Sequence, residues 1–198
     1  MNHNPLKIPG LKRLTICVFC GSSHGAKPVY AAAAKRLGEL IALNGYSLVF
    51  GGGNVGLMGE VAQAARDGGA NVRGILPEFL KHLEPPLLTK EKVVITPDLQ
   101  SRKALMLSGS DAFVVLPGGL GTLDEYFEVL TSAQLHVLGK PIVLVNIDDY
   151  FAPLAALLQQ ITSQGFARPE IASLQHVVPT AEDAVETLNR LLQPQLQA

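Results

Sequence analysis

A glutamate, a pair of cations and two glycine-rich turns are the features of this chain whose types and spacing could do chemistry. Glu125 closes the run PGGLGTLDE at residues 117–125, with Asp124 and Glu128 beside it. Arg102 and Lys103 lie upstream, and GGGNVGLMG fills residues 51–59. A helix entered through glycines presents unbonded N–H groups and the positive end of its dipole, and glycine lets that backbone come close to a phosphate or sugar. Anion binding is therefore the first expectation for both turns. A carboxylate at the mouth of such a turn repels a phosphate placed directly on it. A ligand with phosphate at one end and a neutral sugar at the other resolves the conflict: the glycine N–H groups hold the phosphate and Glu125 faces the sugar.

Each feature also has a plainer reading. Thr122-x-x-Glu125 fits a capping box, in which the threonine oxygen and the glutamate satisfy N–H groups at a helix start. An Arg-Lys pair is by default a solvated face. If Asp98 caps their helix, however, both cations occupy its first turns, where the dipole disfavours each by about a few tenths of a kcal/mol. Position leaves a solvated face and contact with an anion or carboxylate equally open. Gly51, Gly53 and Gly56 satisfy GxGxxG, but that fingerprint belongs to the first strand–helix turn, with an acidic residue about 20 positions further on. Here it follows the second strand, and the third ends in Ile75-Leu76-Pro77. A mononucleotide phosphate, or a tight turn for close packing, is expected in place of a dinucleotide.

The elements that must position these residues follow from apolar runs and glycine stops. Strands are expected at 14–20, 47–50, 72–76, 93–95, 112–116, 142–145 and 175–178. Helices are expected at about 28–44, 56–67, 98–109, from the 117–125 motif to about 137, 150–163 and 181–192. Gly45 suits a helix stop, Asp98 a helix start, and Asp148 or Asp149 the start of the fifth helix. Leu123, Phe127, Leu130 and Leu135 are expected to share one helix face. Residues 77–92, with Pro85 and Pro86 at their centre, read as a long irregular segment of the functional kind. Residues 1–13 read as a loose lead-in. Apolar strands alternating with helices specify an α/β fold with a parallel sheet covered on both faces. Right-handed crossovers then put the turns at 21–25, 51–59 and 117–122 along the carboxyl edge, where ligands bind.

Composition narrows the partners. The chain has 198 residues, 47% hydrophobic and 17% charged, with a formal net charge of −1. That length suits one domain, 1–198, with its core at about 14–192. The charge gives no footprint for nucleic acid or an anionic membrane, and no signal sequence or spanning segment is evident. The expected location is cytoplasmic. The high apolar content is compatible with a subunit interface. Cys17 and Cys20 form a CxxC inside a strand, where positions i and i+3 face opposite ways; they are expected to be core residues. The five histidines show no metal-ligand spacing, so neither a metal nor a cofactor is expected.

Taken together, PGGLGTLDE, GGGNVGLMG, the opening CGSS and Arg102-Lys103 resemble the LONELY GUY (LOG) family of cytokinin riboside 5′-monophosphate phosphoribohydrolases, over about residues 14–192. Members have also been labelled lysine decarboxylases, but the sequence lacks a constellation for a pyridoxal-binding lysine and its supporting acid. The resemblance implies a Rossmann-like, doubly wound sheet and a homodimer. It also implies hydrolysis of the N-glycosidic bond of a purine nucleoside 5′-monophosphate, AMP or an N6-prenylated relative, to free base and ribose 5-phosphate. It makes Arg102 and Glu125 the catalytic pair. Substrate contacts are implied for Ser22, Gly52, Gly53, Gly56, Met58, Glu84, Lys103, Gly118, Gly119, Leu120, Gly121, Thr122, Leu123, Asp124 and Thr131. Many members carry Met-His-x-Arg-Lys where this chain has Leu99-Gln100-Ser101-Arg102-Lys103, which bears on substrate preference. The alternative is a non-catalytic carrier of a nucleotide or pterin cofactor, which needs the phosphate loops but not the Arg–Glu pair.

Overall fold

The computed structural model describes residues 14–81 and 92–196; Glu84, most of the irregular segment and the 1–13 lead-in lie outside them. Seven parallel strands form one sheet: β1 (Thr15–Phe19), β2 (Ser47–Phe50), β3 (Val72–Pro77), β4 (Val93–Thr96), β5 (Ala112–Val115), β6 (Ile142–Val145) and β7 (His176–Val178). Their order is β4-β3-β2-β1-β5-β6-β7. The six α-helices among the described residues are α1 (Pro28–Leu43), α2 (Gly56–Asp67), α3 (Leu99–Ser108), α4 (Leu120–Gln134), α5 (Ala152–Ser163) and α6 (Ala181–Leu196). All thirteen match the sequence-based elements to within a few residues.

The chain first winds outward from β1 to β4, then returns through α3 to β5 and winds the other way. Right-handed crossovers in opposite directions put the intervening helices on opposite faces. One apolar layer joins α1, α2 and α6 to the sheet. The other joins α3, α4 and α5, with Phe19 and Phe113 stacked 5.8 Å apart. Cys17 belongs to the second layer and Cys20 to the first, both buried and free, as the strand alternation requires. No helix of the described residues is long and apolar enough to cross a membrane.

The reversal between β1 and β5 creates a crevice, because their outgoing loops diverge to opposite faces. Main-chain hydrogen bonds seam its floor: Gly21 N–H donates to Pro117 O at 3.0 Å, and Met58 N–H to Gly21 O at 3.3 Å. Three local expectations fail. α4 starts at Leu120 with Gly119 as its N-cap, so Thr122 and Glu125 lie within the helix and form no capping box. The buried face of α4 is Thr122, Glu125, Tyr126, Val129, Leu130 and Ala133; Leu135 follows the helix and is 66% exposed. Finally, Asp148 and Asp149 do not cap α5. They adopt left-handed φ values of 52° and 55° in a 3-10 turn, and the Asn146 side chain instead accepts from Phe151 N–H at 2.7 Å.

Candidate active site

The cleft at the reversal point is built from four turns. The loop after β1 contributes Cys20, Gly21 and Ser22, and the loop after β2 contributes Gly51. α2 supplies Met58. The start of α4 supplies Gly119, Leu120, Gly121, Thr122 and Glu125, while Arg102 reaches in from α3. The cleft is open to solvent on one side, with a cavity volume of about 180 Å³.

Arg102 and Glu125 meet in it. The guanidinium Nη2 lies 3.3 Å from Glu125 Oε1, with the two side chains 12% and 10% exposed. Their approach depends on Gly51. A Cβ there would fall 2.3 Å from Arg102 Nη2 and 2.8 Å from the Met58 sulfur, so a side chain at 51 would occupy the arginine's path. Arg102 also donates to Gly51 O at 3.5 Å, a long contact. Its Nε is buried and makes no hydrogen bond among the described residues. An orphaned buried donor on an otherwise paired arginine calls for an acceptor from a ligand. Taking two opposite charges out of water is costly, and such pairs recur where they do chemistry.

Around this pair lie the donors of the α4 start. Glycines at 119 and 121 have open space where a Cβ would stand, and the first helical N–H groups there have no carbonyl one turn back. Gly56, with φ +56°, lets α2 begin against the Ser22–Ser23 backbone, where a Cβ would come within 2.3 Å. That contact brings Met58 to the cleft. Burial pushes the thiols of Cys17 and Cys20 far above their ordinary values, with Glu125 adding to the shift, so neither is a ready nucleophile.

The cleft thus gathers Ser22, Met58, Arg102, Gly119, Leu120, Gly121, Thr122 and Glu125 from the sequence-based set. The other described members sit nearby. Gly118 packs beneath Thr122. Gly52 packs on Ile75 and Leu76, Gly53 is buried beside it, and Gly56 lines an adjoining cleft with His24, Asn54 and Glu60. Leu123 is half-buried in the α3–α4 layer. Lys103 lies to one side, bound to Asp124 at 3.1 Å and to Glu128 at 3.0 Å, and these carboxylates hold its ammonium above its ordinary pKa, Glu128 foremost. Thr131 is exposed two turns further along α4, about 9 Å away along the axis. Sequence reasoning placed the turns at 21–25 and 51–59 on the ligand edge but missed Val18 and Cys20 as lining residues; their place toward the carboxyl end of β1 was the available signal.

Comparisons with known proteins converge on the same region. A family model described as "possible lysine decarboxylase" matches residues 58–188. A probable cytokinin riboside 5′-monophosphate phosphoribohydrolase of rice (Oryza sativa subsp. japonica) is 43% identical over 173 residues, 87% of this chain and 71% of its own. A cytokinin riboside 5′-monophosphate phosphoribohydrolase of Arabidopsis thaliana is 44% identical over 173 residues, 87% of this chain and 80% of its own. Among solved structures, a molybdenum cofactor binding protein from the bacterium Rippkaea orientalis is 26% identical, with a TM-score of 0.69 over 91% of this chain and 98% of that one. The molybdenum cofactor carrier protein of Chlamydomonas reinhardtii shares the fold at 24% identity and the same TM-score, over 92% of this chain and 99% of that one.

Proposed function

The chain belongs to the LONELY GUY (LOG) family of phosphoribohydrolases, and from that premise we propose that it hydrolyses the N-glycosidic bond of a purine nucleoside 5′-monophosphate, releasing free base and ribose 5-phosphate. The observation that carries this reading is the Arg102–Glu125 pair, buried at 3.3 Å in a cleft that also holds the start of α4. Cleaving a ribosyl C–N bond develops positive charge on the sugar, as in other oxocarbenium-like glycosidic reactions. Glu125 supplies the negative charge that stabilises it. Arg102 fixes the carboxylate, and its unpaired Nε is a donor for the departing base or the phosphate. The phosphate sits on the N–H groups of Gly119, Gly121 and Thr122, at the positive end of α4. Ser22 and Met58 flank the nucleoside, and Lys103, Asp124 and the remaining glycines support the turn. Among the described residues the cleft lining holds Arg102 as its cation and no lysine, which disfavours the decarboxylase description.

AMP and N6-prenylated adenine nucleotides are the substrates this cleft suits. The enzyme works as one cytoplasmic domain, paired as a homodimer through α3 and α4. α3 buries just Met106; Leu99 is 44% exposed, Leu135 66% and Val137 79%, and Leu105, Leu107 and Phe127 are half-buried. Exposed apolar side chains on and just beyond these two helices are what a subunit interface would cover. A second copy laid on it also approaches the exposed Thr131.

The likeness to cofactor-binding proteins motivates a second reading, a non-catalytic carrier. A carrier requires the anion-holding turns but gains nothing from a desolvated guanidinium–carboxylate pair. Incubating the protein with AMP and with an N6-prenylated AMP separates the two. We expect stoichiometric free base and ribose 5-phosphate; binding of either nucleotide without cleavage establishes the carrier.

A further inference from the structure

Tyr150 lies outside the cleft lining, yet its hydroxyl reaches the turn that forms it. The hydroxyl donates to Gly118 O at 2.5 Å. Gly118 and Gly119 share a peptide bond that is trans. In a planar trans peptide, the C=O of one residue and the N–H of the next point in opposite directions. Drawing the Gly118 carbonyl toward Tyr150 therefore turns the Gly119 N–H the other way. Gly119 is the N-cap of α4 and lines the cleft, and its amide precedes the first helical turn, where no helical carbonyl can accept from it.

The ring that carries this hydroxyl is held on two sides. It meets Tyr30 edge-on at 5.7 Å and Phe151 edge-on at 4.9 Å. The turn delivering it is unusual: Asp148 and Asp149 are consecutive non-glycine residues with left-handed φ. Lys27 pairs with Asp148, and Asn146 donates to Asp149 at 3.2 Å, so side chains from two elements hold the turn in that conformation. Backbone strain maintained by surrounding contacts tends to accompany a functional constraint, and here its product is the placement of one hydroxyl.

We propose that Tyr150 is a positioning residue: its hydroxyl sets the Gly118–Gly119 peptide so that the Gly119 N–H faces the anionic end of the ligand. The inference rests on the nucleotide reading of the cleft. The test is Tyr150→Phe, which removes one oxygen and keeps both ring contacts. Ribose 5-phosphate is titrated calorimetrically into both proteins, and AMP turnover and inhibition by adenosine are measured in parallel. Loss of one hydrogen bond's worth of orientation predicts about a 5- to 10-fold weaker affinity for ribose 5-phosphate. KM for AMP rises by the same factor, while kcat stays within about twofold and adenosine inhibition is unchanged. Unchanged ribose 5-phosphate affinity overturns the proposal, and so does an equal loss for adenosine, which marks a merely structural tyrosine. Wild-type protein that binds ribose 5-phosphate without cleaving AMP sinks the hydrolase reading and leaves the binding comparison in force.

Discussion

The helix pairs on the two faces of the sheet are built on opposite plans. α1 and α2 meet through small residues: Gly38 lies against Val61, Ala64 and Ala65, and Gly68 against Ala42. Their contact faces are fully covered, and they bring no charged group into the cleft; α2's contribution there is Met58. α3 and α4 are joined instead by ion pairs, Arg102 with Glu125 and Lys103 with Asp124 and Glu128, and Leu105, Leu107, Leu123 and Phe127 on them are only half covered. One pair gains stability by close packing and is chemically passive. The other holds the proposed reacting groups, Arg102 and Glu125, and leaves apolar side chains exposed. The difference teaches that the site is a property of the less completely packed face, with the tightly packed face as its fixed reference.

If that division is real, the largest effect on turnover comes from the α3–α4 pair. Glu125→Gln keeps the shape and an acceptor for Arg102 but removes the charge; we expect kcat to fall by about 10²–10⁴ with the far-ultraviolet circular dichroism unchanged. Arg102→Met should cost turnover to a similar degree and, by leaving a buried carboxylate unpaired, lower stability as well, by about 3–5 kcal/mol if the carboxylate stays ionised. Full activity in either variant would place the chemistry elsewhere.

The converse change belongs on the other face. Gly38→Ala improves helix propensity by about 1 kcal/mol. Its new Cβ, however, would sit 2.3 Å from Val61 O and 2.9 Å from Ala64 Cβ. The clash should win, giving a net loss of about 1–3 kcal/mol in chemical denaturation, with kcat of the folded protein within about twofold. A stabilised Gly38→Ala protein would show that the α1–α2 contact has slack.

A smaller effect on the subunit itself tests the uncovered surface. Leu135→Glu puts a charge on a residue already 66% exposed. In an isolated subunit such a change should alter stability by less than about 0.5 kcal/mol. In a dimer joined at this face it should produce monomers at micromolar concentration by sedimentation. A wild-type monomer under the same conditions removes the interface from the account.

The backbone frame on both faces was the legible part. Apolar strands, glycine stops and the Asp98 cap are local signals, and all seven strands and six helices could be placed from them. The crevice followed from crossover handedness, because a ligand edge exists in any sheet of this kind. Thr122 and Glu125 misled, because a capping-box spacing is local, whereas the start of α4 is set by the tertiary turn at Gly118 and Gly119. Leu135 misled because helical periodicity carried on past Gln134, where the helix ends. The contact between Arg102 and Glu125 joins residues 23 positions apart on helices following different strands, and strand order lies outside what local periodicity encodes. Gly51 shows the same limit: its value is the space it leaves for an arginine 51 positions away.

The subtlest test concerns how α3 is anchored. α1 and α2 begin at Lys27 and Val55, neither making a side-chain capping bond, because packing holds them. α3 buries one residue and begins at Asp98, whose carboxylate accepts from Ser101 N–H at 2.6 Å, four residues before Arg102. That bond, chiefly from the Ser101 amide, holds the Asp98 carboxyl below its ordinary value of 3.8. A carboxyl depressed in the folded state contributes stability that is present above its unfolded pKa and lost as pH falls through the folded one. Asp98→Ala should therefore lower the thermal midpoint by a few degrees at neutral pH. The gap to wild type should close progressively below pH 3.8 as the native cap is protonated. Asp98→Asn retains an acceptor without a titrating charge, so its midpoint should stay near wild type at neutral pH and show no such acid-dependent loss from this site. If Asp98→Ala leaves the midpoint unchanged at every pH, α3 is held by its contacts alone and needs no anchor that α1 and α2 lack.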